Sequence, residues 1–339
     1  MNTEAVSNLQ QLLSTPKNIV VVGHKNPDGD AIGSTLGLSI YLKKKGHKVQ
    51  VIMPNDFPKF LKWMPESDSI MLYDREIKNS DILLNEADII FTLDFNSLTR
   101  VGMMENSLRV SKAIFIMIDH HQQPDDYAEI IYSDVSMCST AQMVYHFIDS
   151  LDGLPLIDQA IATNLYVGIM TDTGSFRYSS TTSLTHRVIA DLIDKGASNS
   201  TIHQNIYDTN SPNRMKLLGV ALKNLVINPS KKTAYITLSQ EELDTHKFQK
   251  GDTEGFVNYA LSIEGIIFAA IFIESKNEGI IKISFRSKGN FSVNDFARNH
   301  YEGGGHINAA GGRSQLSLNK TISEFNSILA SYQNALINA

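Results

Sequence analysis

Short apolar runs alternate with helical periodicity through the first half of the chain. Residues 19–23, 48–53, 87–95 and 113–118 are runs of strand length containing β-branched residues. Between the first two, Ile32, Leu36, Ile40 and Tyr41 recur at helical spacing across residues 31–45, and the stretch closes on Lys43, Lys44, Lys45 and Gly46. Strands joined through helices predict a parallel sheet flanked by helices. From residue 139 to about 196 the pattern turns helical, with amphipathic stretches at 140–151, 156–170 and 184–195. Residues 197–213, rich in Ser, Asn and Thr, read as a linker, although Ile202, Ile206 and Tyr207 point to a short helix inside it. A second, smaller α/β unit follows, with strands expected at 233–238, 266–274 and 280–286 and helices at 253–261, 293–299 and about 321–336. The expected division is 1–196, a linker at 197–213, and 214–339.

Bulk properties narrow the chemistry. At 339 residues, 42% hydrophobic and 19% charged, the chain has the composition of a globular protein with two cores. A net charge of −6 argues against coating duplex DNA, which needs many Lys and Arg against phosphates. The single cysteine, Cys138, has no intrachain partner and fits a reducing compartment. The first residues lack the features of an export signal, and no apolar run approaches the ~20 residues that span a bilayer, so a cytoplasmic protein without membrane contact is expected.

Ionisable residues stand just after the apolar runs. His24, Asp28 and Asp30 follow the first run in a short loop with Pro27 and Gly29, and Asp30 occupies the place where a helix N-cap belongs. Asp94 closes another run, Asp119-His120-His121 follows the last one, and Asp172 ends an apolar helix before Gly174. A parallel sheet gathers such strand ends into one crevice, where carboxylates repel each other unless cations lie between them. Two adjacent histidines point in different directions, which suits one metal ligand and one substrate contact.

In this order, His24, Asp28-x-Asp30, Asp94, Asp119-His120-His121 and Asp172 resemble the signatures of the DHH phosphoesterase superfamily. Glu302-Gly303-Gly304-Gly305-His306, followed by Ala309-Ala310-Gly311-Gly312, resembles the glycine-rich signature of its accessory DHHA1 domain. The length, the 171–178 segment and Ser284-Phe285-Arg286-Ser287-Lys288 look like the stand-alone NrnA-like group of oligoribonucleases (nanoRNases) and pAp phosphatases. The resemblance implies a parallel-sheet DHH domain flanked by helices, a smaller DHHA1 domain with a mixed sheet, and an active site in the interdomain cleft.

On the matching positions it also implies two divalent ions. His24, Asp28 and Asp94 would hold one; Asp30, Asp94, His120 and Asp172 would hold the other, with Asp94 shared. Mixed imidazole and carboxylate ligands suit Mn²⁺, with Zn²⁺, Co²⁺ or Fe²⁺ as competitors. Asp119 would orient the histidines, and His121 would meet the phosphoryl group or the leaving oxygen. Arg286 with Gly303, Gly304, Gly305 and His306 would clamp a second phosphate, and Arg100 is a further candidate contact. The implied partners are short single-stranded RNA, dinucleotides and 3′-phosphoadenosine 5′-phosphate (pAp), and a homodimer is compatible with the sequence. Glu302 stands where the family commonly has glycine, which is expected to weaken anion binding. A linear or cyclic dinucleotide phosphodiesterase, or a non-catalytic nucleotide-binding protein, are the alternatives.

Overall fold

The computed structural model describes residues 3–338, which divide into two compact units meeting at Thr209 and Asn210. The first unit runs α1 (Thr3–Leu12), β1 (Asn18–Val22), α2 (Gly29–Lys44), β2 (Lys48–Met53), β3 (Met71–Leu72), α3 (Ile77–Glu86) and β4 (Ile89–Leu93). It continues with α4 (Glu105–Val110), β5 (Ile114–Asp119), β6 (Ile130–Ser133), α5 (Thr140–Ser150), α6 (Gln159–Asp172), α7 (Ser183–Asp194) and α8 (Asn199–Tyr207).

Its sheet is wholly parallel, in the order β3-β2-β1-β4-β5-β6. Successive residues of each strand face opposite sides. Ile19, Val21, Phe91, Ile116 and Ile118 pack on α2, α5 and α6, whereas Val20, Val22, Ile90 and Phe115 pack with Leu84, Leu108 and Met104. Burial on both faces explains why β1, β4 and β5 read as near-continuous apolar runs, whereas β2 is buried only in its second half. β3 and β6 escaped the sequence reading because they are short edge strands; β6 has no fully buried residue. The strand expected at 87–95 is trimmed to β4 because Asp94 adopts φ +66, a left-handed conformation that ends the extended run.

Strand order reverses between β1 and β4, the switch point where ligands bind in open α/β sheets. α2 leaves β1 there and crosses α6 at backbone contact. A Cβ on Gly33 would lie 2.4 Å from the carbonyl oxygen of Asn164 and 2.9 Å from the amide nitrogen of Gly168. Only glycine permits that approach, and it brings the start of α2 beside the end of α6.

The segment expected as a linker is instead largely helical. α8 occupies most of residues 197–213, and Ile202, 1% exposed, is part of the first unit's core. The apolar side chains flagged within the polar stretch outweighed its composition.

The second unit contains α9 (Pro212–Lys223), β7 (Val226–Asn228), β8 (Thr233–Leu238), α10 (Gln240–Thr245), α11 (Phe256–Leu261), β9 (Phe268–Ser275) and β10 (Ile280–Ser287). α12 (Val293–His300), β11 (Gly304–Gly305), β12 (Ala309–Ser314), α13 (Leu318–Ile328) and α14 (Gln333–Asn338) complete it. Its sheet, β11-β12-β10-β9-β8-β7, is mixed: β8 and β9 are parallel and the other pairs antiparallel. One face carries a cluster of aromatic rings, Phe268, Phe272, Phe285, Phe296 and Phe325. The other packs Leu217, Ile236, Phe256 and Ile271. Among the described residues, no helix is long and apolar enough to cross a membrane.

Candidate active site

β1, β4 and β5 are neighbours in the first sheet, so the residues after their last positions fall together. Cα partners Leu93 and Ile118 bring Asp94 alongside Asp119, and β1 delivers the His24 loop next to them. Lys25 N–H donates to the carbonyl of Arg100 at 2.8 Å, which pins that loop. This backbone contact is how Arg100 touches the site region; its side chain is half-buried.

The helix cap belongs to Asp28, not Asp30. Asp28 Oδ1 accepts from the amides of Asp30 (3.0 Å) and Ala31 (3.1 Å). Asp30 lies one turn into the centre and caps a different helix: its two oxygens accept from the amides of Thr140 (2.7 Å) and Ala141 (2.8 Å) at the start of α5. A buried carboxylate is thereby set against the positive end of that helix.

Two clusters form. In one, His24 Nε2 stands 3.8 Å from Asp28 Oδ1 and 3.4 Å from Asp94 Oδ2. In the other, His120 Nε2 stands 3.8 Å from Asp30 Oδ2, 3.6 Å from Asp94 Oδ1 and 3.6 Å from Asp172 Oδ2. The two oxygens of Asp94 thus face different clusters. Each histidine is oriented by its other nitrogen: Nδ1–H of His24 donates to the carbonyl of Lys25 at 2.9 Å, and that of His120 to Met137 at 3.1 Å. Both bonds turn Nε2 toward the carboxylates, where it carries a proton in the metal-free chain and would offer its lone pair to a cation.

The third part, His121 with Asp119, is a hydrogen-bonded pair. His121 Nδ1–H donates to Asp119 Oδ1 at 2.7 Å, while Asp119 is 0% exposed. That proton makes His121 Nδ1 a donor here, and Asp119 orients His121, whereas the carbonyl of Met137 orients His120.

Electrostatics record the strain of crowding these groups. Burial pulls the His24 imidazole down, but bonds to Asp28 and Asp94 overcome it and hold the pKa at about 10. Burial also opposes the charge on Asp94, yet His120 and His24 keep it well below the usual carboxylate range. Asp30 is pushed well up, first by burial and then by the charges of Asp94 and Asp172. Asp172 rises to about 6 through burial and the nearby Asp94 and Asp28, against the pull of His120. Protons are doing what cations do better: four carboxylates, Asp30 and Asp94 among them buried, and two buried imidazoles within reach of one another fit divalent ions by number and type.

Sequence reasoning missed Thr140. Its hydroxyl donates to Asp94 Oδ1 at 3.1 Å, from the first turn of α5. The available signal was Ser139-Thr140 opening an apolar helix, with Ser139 as its N-cap accepting from Gln142 N–H.

In the second unit, Arg286 and the glycine-rich segment lie together, with Arg286 the strand partner of Ala309, just past His306. The segment is a hairpin strand, not an open loop. A Cβ on Gly303 would meet the carbonyl oxygen of Gly311 at 2.0 Å, and Gly305 adopts φ +152. The Gly305 amide donates to Asn294 Oδ1 (2.9 Å) and the His306 amide to the Ala309 carbonyl (2.7 Å), so two of the expected backbone donors are already engaged. Arg286 Nη1 donates to the carbonyl of Phe285, while its buried Nε–H has no hydrogen-bond partner among the described residues. Glu302 points its charge at Arg313, accepting from Nε at 2.6 Å.

The DHH family, N-terminal domain, matches residues 18–169, and the DHHA1 domain matches residues 231–334. The bifunctional oligoribonuclease and PAP phosphatase NrnA of Thermus thermophilus is 30% identical over 293 residues, spanning 86% of this chain and 83% of its own. The chain belongs to the DHH–DHHA1 family, in its NrnA-like group. That membership places it among the DHH phosphoesterases, a hydrolase family, and bears out the resemblance carried by the motifs. The NrnA of Bacillus subtilis is 26% identical over 312 residues and 92% of each chain. The crystal structure of an exopolyphosphatase-related protein from Bacteroides fragilis superposes with a TM-score of 0.95 at 38% identity, over 99% of this chain and 98% of that one. The matched DHH domain contains His24, Asp28, Asp30, Asp94 and Asp119–His121; Asp172 follows its end, and the DHHA1 match contains Arg286 and Gly303–His306.

Proposed function

We propose that this DHH–DHHA1 protein hydrolyses phosphoester bonds of short oligoribonucleotides, releasing mononucleotides, and removes the 3′-phosphate of pAp. The observation that carries the reading is the pair of donor clusters sharing Asp94, with His24 and Asp28 on one side and Asp30, His120 and Asp172 on the other. Those residues would hold two divalent ions, and the oxygen-rich, mixed donor set favours Mn²⁺. Such ions supply positive charge to a phosphoryl oxygen and acidify the water that attacks phosphorus.

The chain's own groups supply the rest. With Nδ1–H given to Asp119, His121 is held in one orientation and takes or gives a proton through Nε2, the group suited to protonate the departing ester oxygen. Buried Asp119 stabilises the imidazolium that this exchange passes through, as a carboxylate behind a general acid does. In the second unit, the guanidinium of Arg286 is the charged donor that would meet a phosphate, a group its planar fork suits. The engaged amides of Gly305 and His306 leave that anchoring to side chains, Arg286 and the His306 imidazole. Glu302, neutralised by Arg313, weakens it less than an isolated carboxylate would. The names of the NrnA relatives support both activities.

The test offers the purified chain with Mn²⁺ short RNA, short DNA, pAp, linear and cyclic dinucleotides, and pyrophosphate in parallel. Mononucleotide release from linear RNA dinucleotides with pyrophosphate untouched is expected. Asp94→Asn abolishes hydrolysis while nucleotide binding persists. Cleavage confined to cyclic dinucleotides, or full activity in Asp94→Asn, would overturn the proposal.

A further inference from the structure

The start of α5 touches two carboxylates of the centre, Asp30 of the His120 cluster and Asp94, which the clusters share. Its first two amides hold Asp30 through both oxygens, and the Thr140 hydroxyl holds Asp94 through Oδ1. Thr140 is fully buried, and its bond reaches the oxygen that faces His120. Asp94 needs such a hold. It sits at φ +66, off the regular strand, and its Oδ2 belongs to the His24 cluster, so a rotation about the bond to its carboxyl group would take both oxygens away from their partners.

We infer that Thr140 is a positioning residue for divalent-ion binding: its hydroxyl sets the carboxyl plane of Asp94 so that one oxygen serves each cluster, while the α5 amides set Asp30. This inference rests on the two-ion reading above. It adds a residue whose assigned partner is a ligand carboxylate, Asp94. The bond occupies one lone pair of Oδ1, and an ionised carboxylate oxygen keeps another for a cation.

Substituting the partner that orients a ligand commonly costs roughly 10- to 100-fold in metal affinity. The test strips the full-length chain of metal with a chelator and titrates it with Mn²⁺ alone, following heat and the electron paramagnetic resonance of free Mn²⁺. Wild type, Thr140→Val, Thr140→Ser and Thr140→Ala are compared, with thermal melting of each metal-free protein alongside. Thr140→Val keeps the shape and loses a hydrogen bond to a charged group, so the metal-free chain is expected to melt lower but still cooperatively, while Mn²⁺ affinity falls by roughly 10- to 100-fold. Thr140→Ser is expected to restore it. Wild-type affinity in both Thr140→Val and Thr140→Ala, or an equal loss in Thr140→Val and Thr140→Ser, overturns the positioning role while leaving the two-ion reading intact. A wild-type chain that binds no Mn²⁺ overturns that reading itself.

Discussion

Gly33→Ala tests whether the crossing of α2 and α6 builds the site. The added Cβ would lie 2.4 Å from the Asn164 carbonyl oxygen and 3.0 Å from Gly168 Cα, so the helices must part by about 1 Å to reach ordinary contact at 3.4 Å. The obstacle is backbone, which cannot swing aside as a side chain can. Overpacking of this kind costs about 1–3 kcal/mol, a sizeable share of the ~5–15 kcal/mol that holds a domain together. The functional effect is larger in proportion. α2 carries Asp30 and α6 ends in Asp172, so the same displacement pulls apart groups that now converge on His120 Nε2. A misplacement of ~1 Å can cost on the order of 100-fold in rate. Gly219→Ala is the control: this glycine lies exposed in α9, a Cβ there meets nothing within 4 Å, and alanine should stabilise by about 0.5–1 kcal/mol. Urea denaturation measures both, and dinucleotide hydrolysis at saturating Mn²⁺ measures the site. A Gly33→Ala protein with wild-type midpoint and rate would refute the argument that this contact sets ligand spacing.

Two further outcomes follow from the charged groups. The folded, metal-free chain holds the His24 proton more tightly than the unfolded chain, so that stabilisation is complete below about pH 6.5 and is lost as pH rises through about 10. Asp172, at about 6 instead of 3.8, acts with the same sign over that lower window. Denaturation in the presence of a chelator should therefore show stability falling with rising pH across both windows, and a flat profile would contradict the assigned contacts. Arg286→Gln should raise KM for pAp by roughly 10-fold or more, the worth of about 1.5–3 kcal/mol in a charge-assisted bond, with little change in folding stability. An unchanged KM would remove Arg286 from the phosphate anchor.

His24, Asp94 and Asp119–His121 were legible because each follows a run whose burial on both sheet faces leaves an apolar signature, and Asp172 because it ends a buried helix. Parallel topology then had to bring them together. What stayed hidden depends on contacts between distant segments. Nothing around Asp94 announces its left-handed backbone, and Asp30 looked like the cap of its own helix because proximity in sequence favours that reading; its partners are Thr140 and Ala141. Glu302 looked like a disturbance because Arg313, its strand-mediated neighbour, is remote along the chain. β12, with the sequence Ala-Ala-Gly-Gly-Arg-Ser, lacks the branched side chains that mark strands and is held by pairing on both edges.

Asp28 gives one carboxyl oxygen two jobs. Oδ1 closes the first turn of α2 and is also the atom turned toward His24. An alanine scan would therefore misreport this position: truncation frays the turn that carries Asp30, and lost catalysis would be credited to a missing ligand. Asparagine keeps the turn closed and halves the oxygen supply, so at this one position the milder substitution is the sharper instrument.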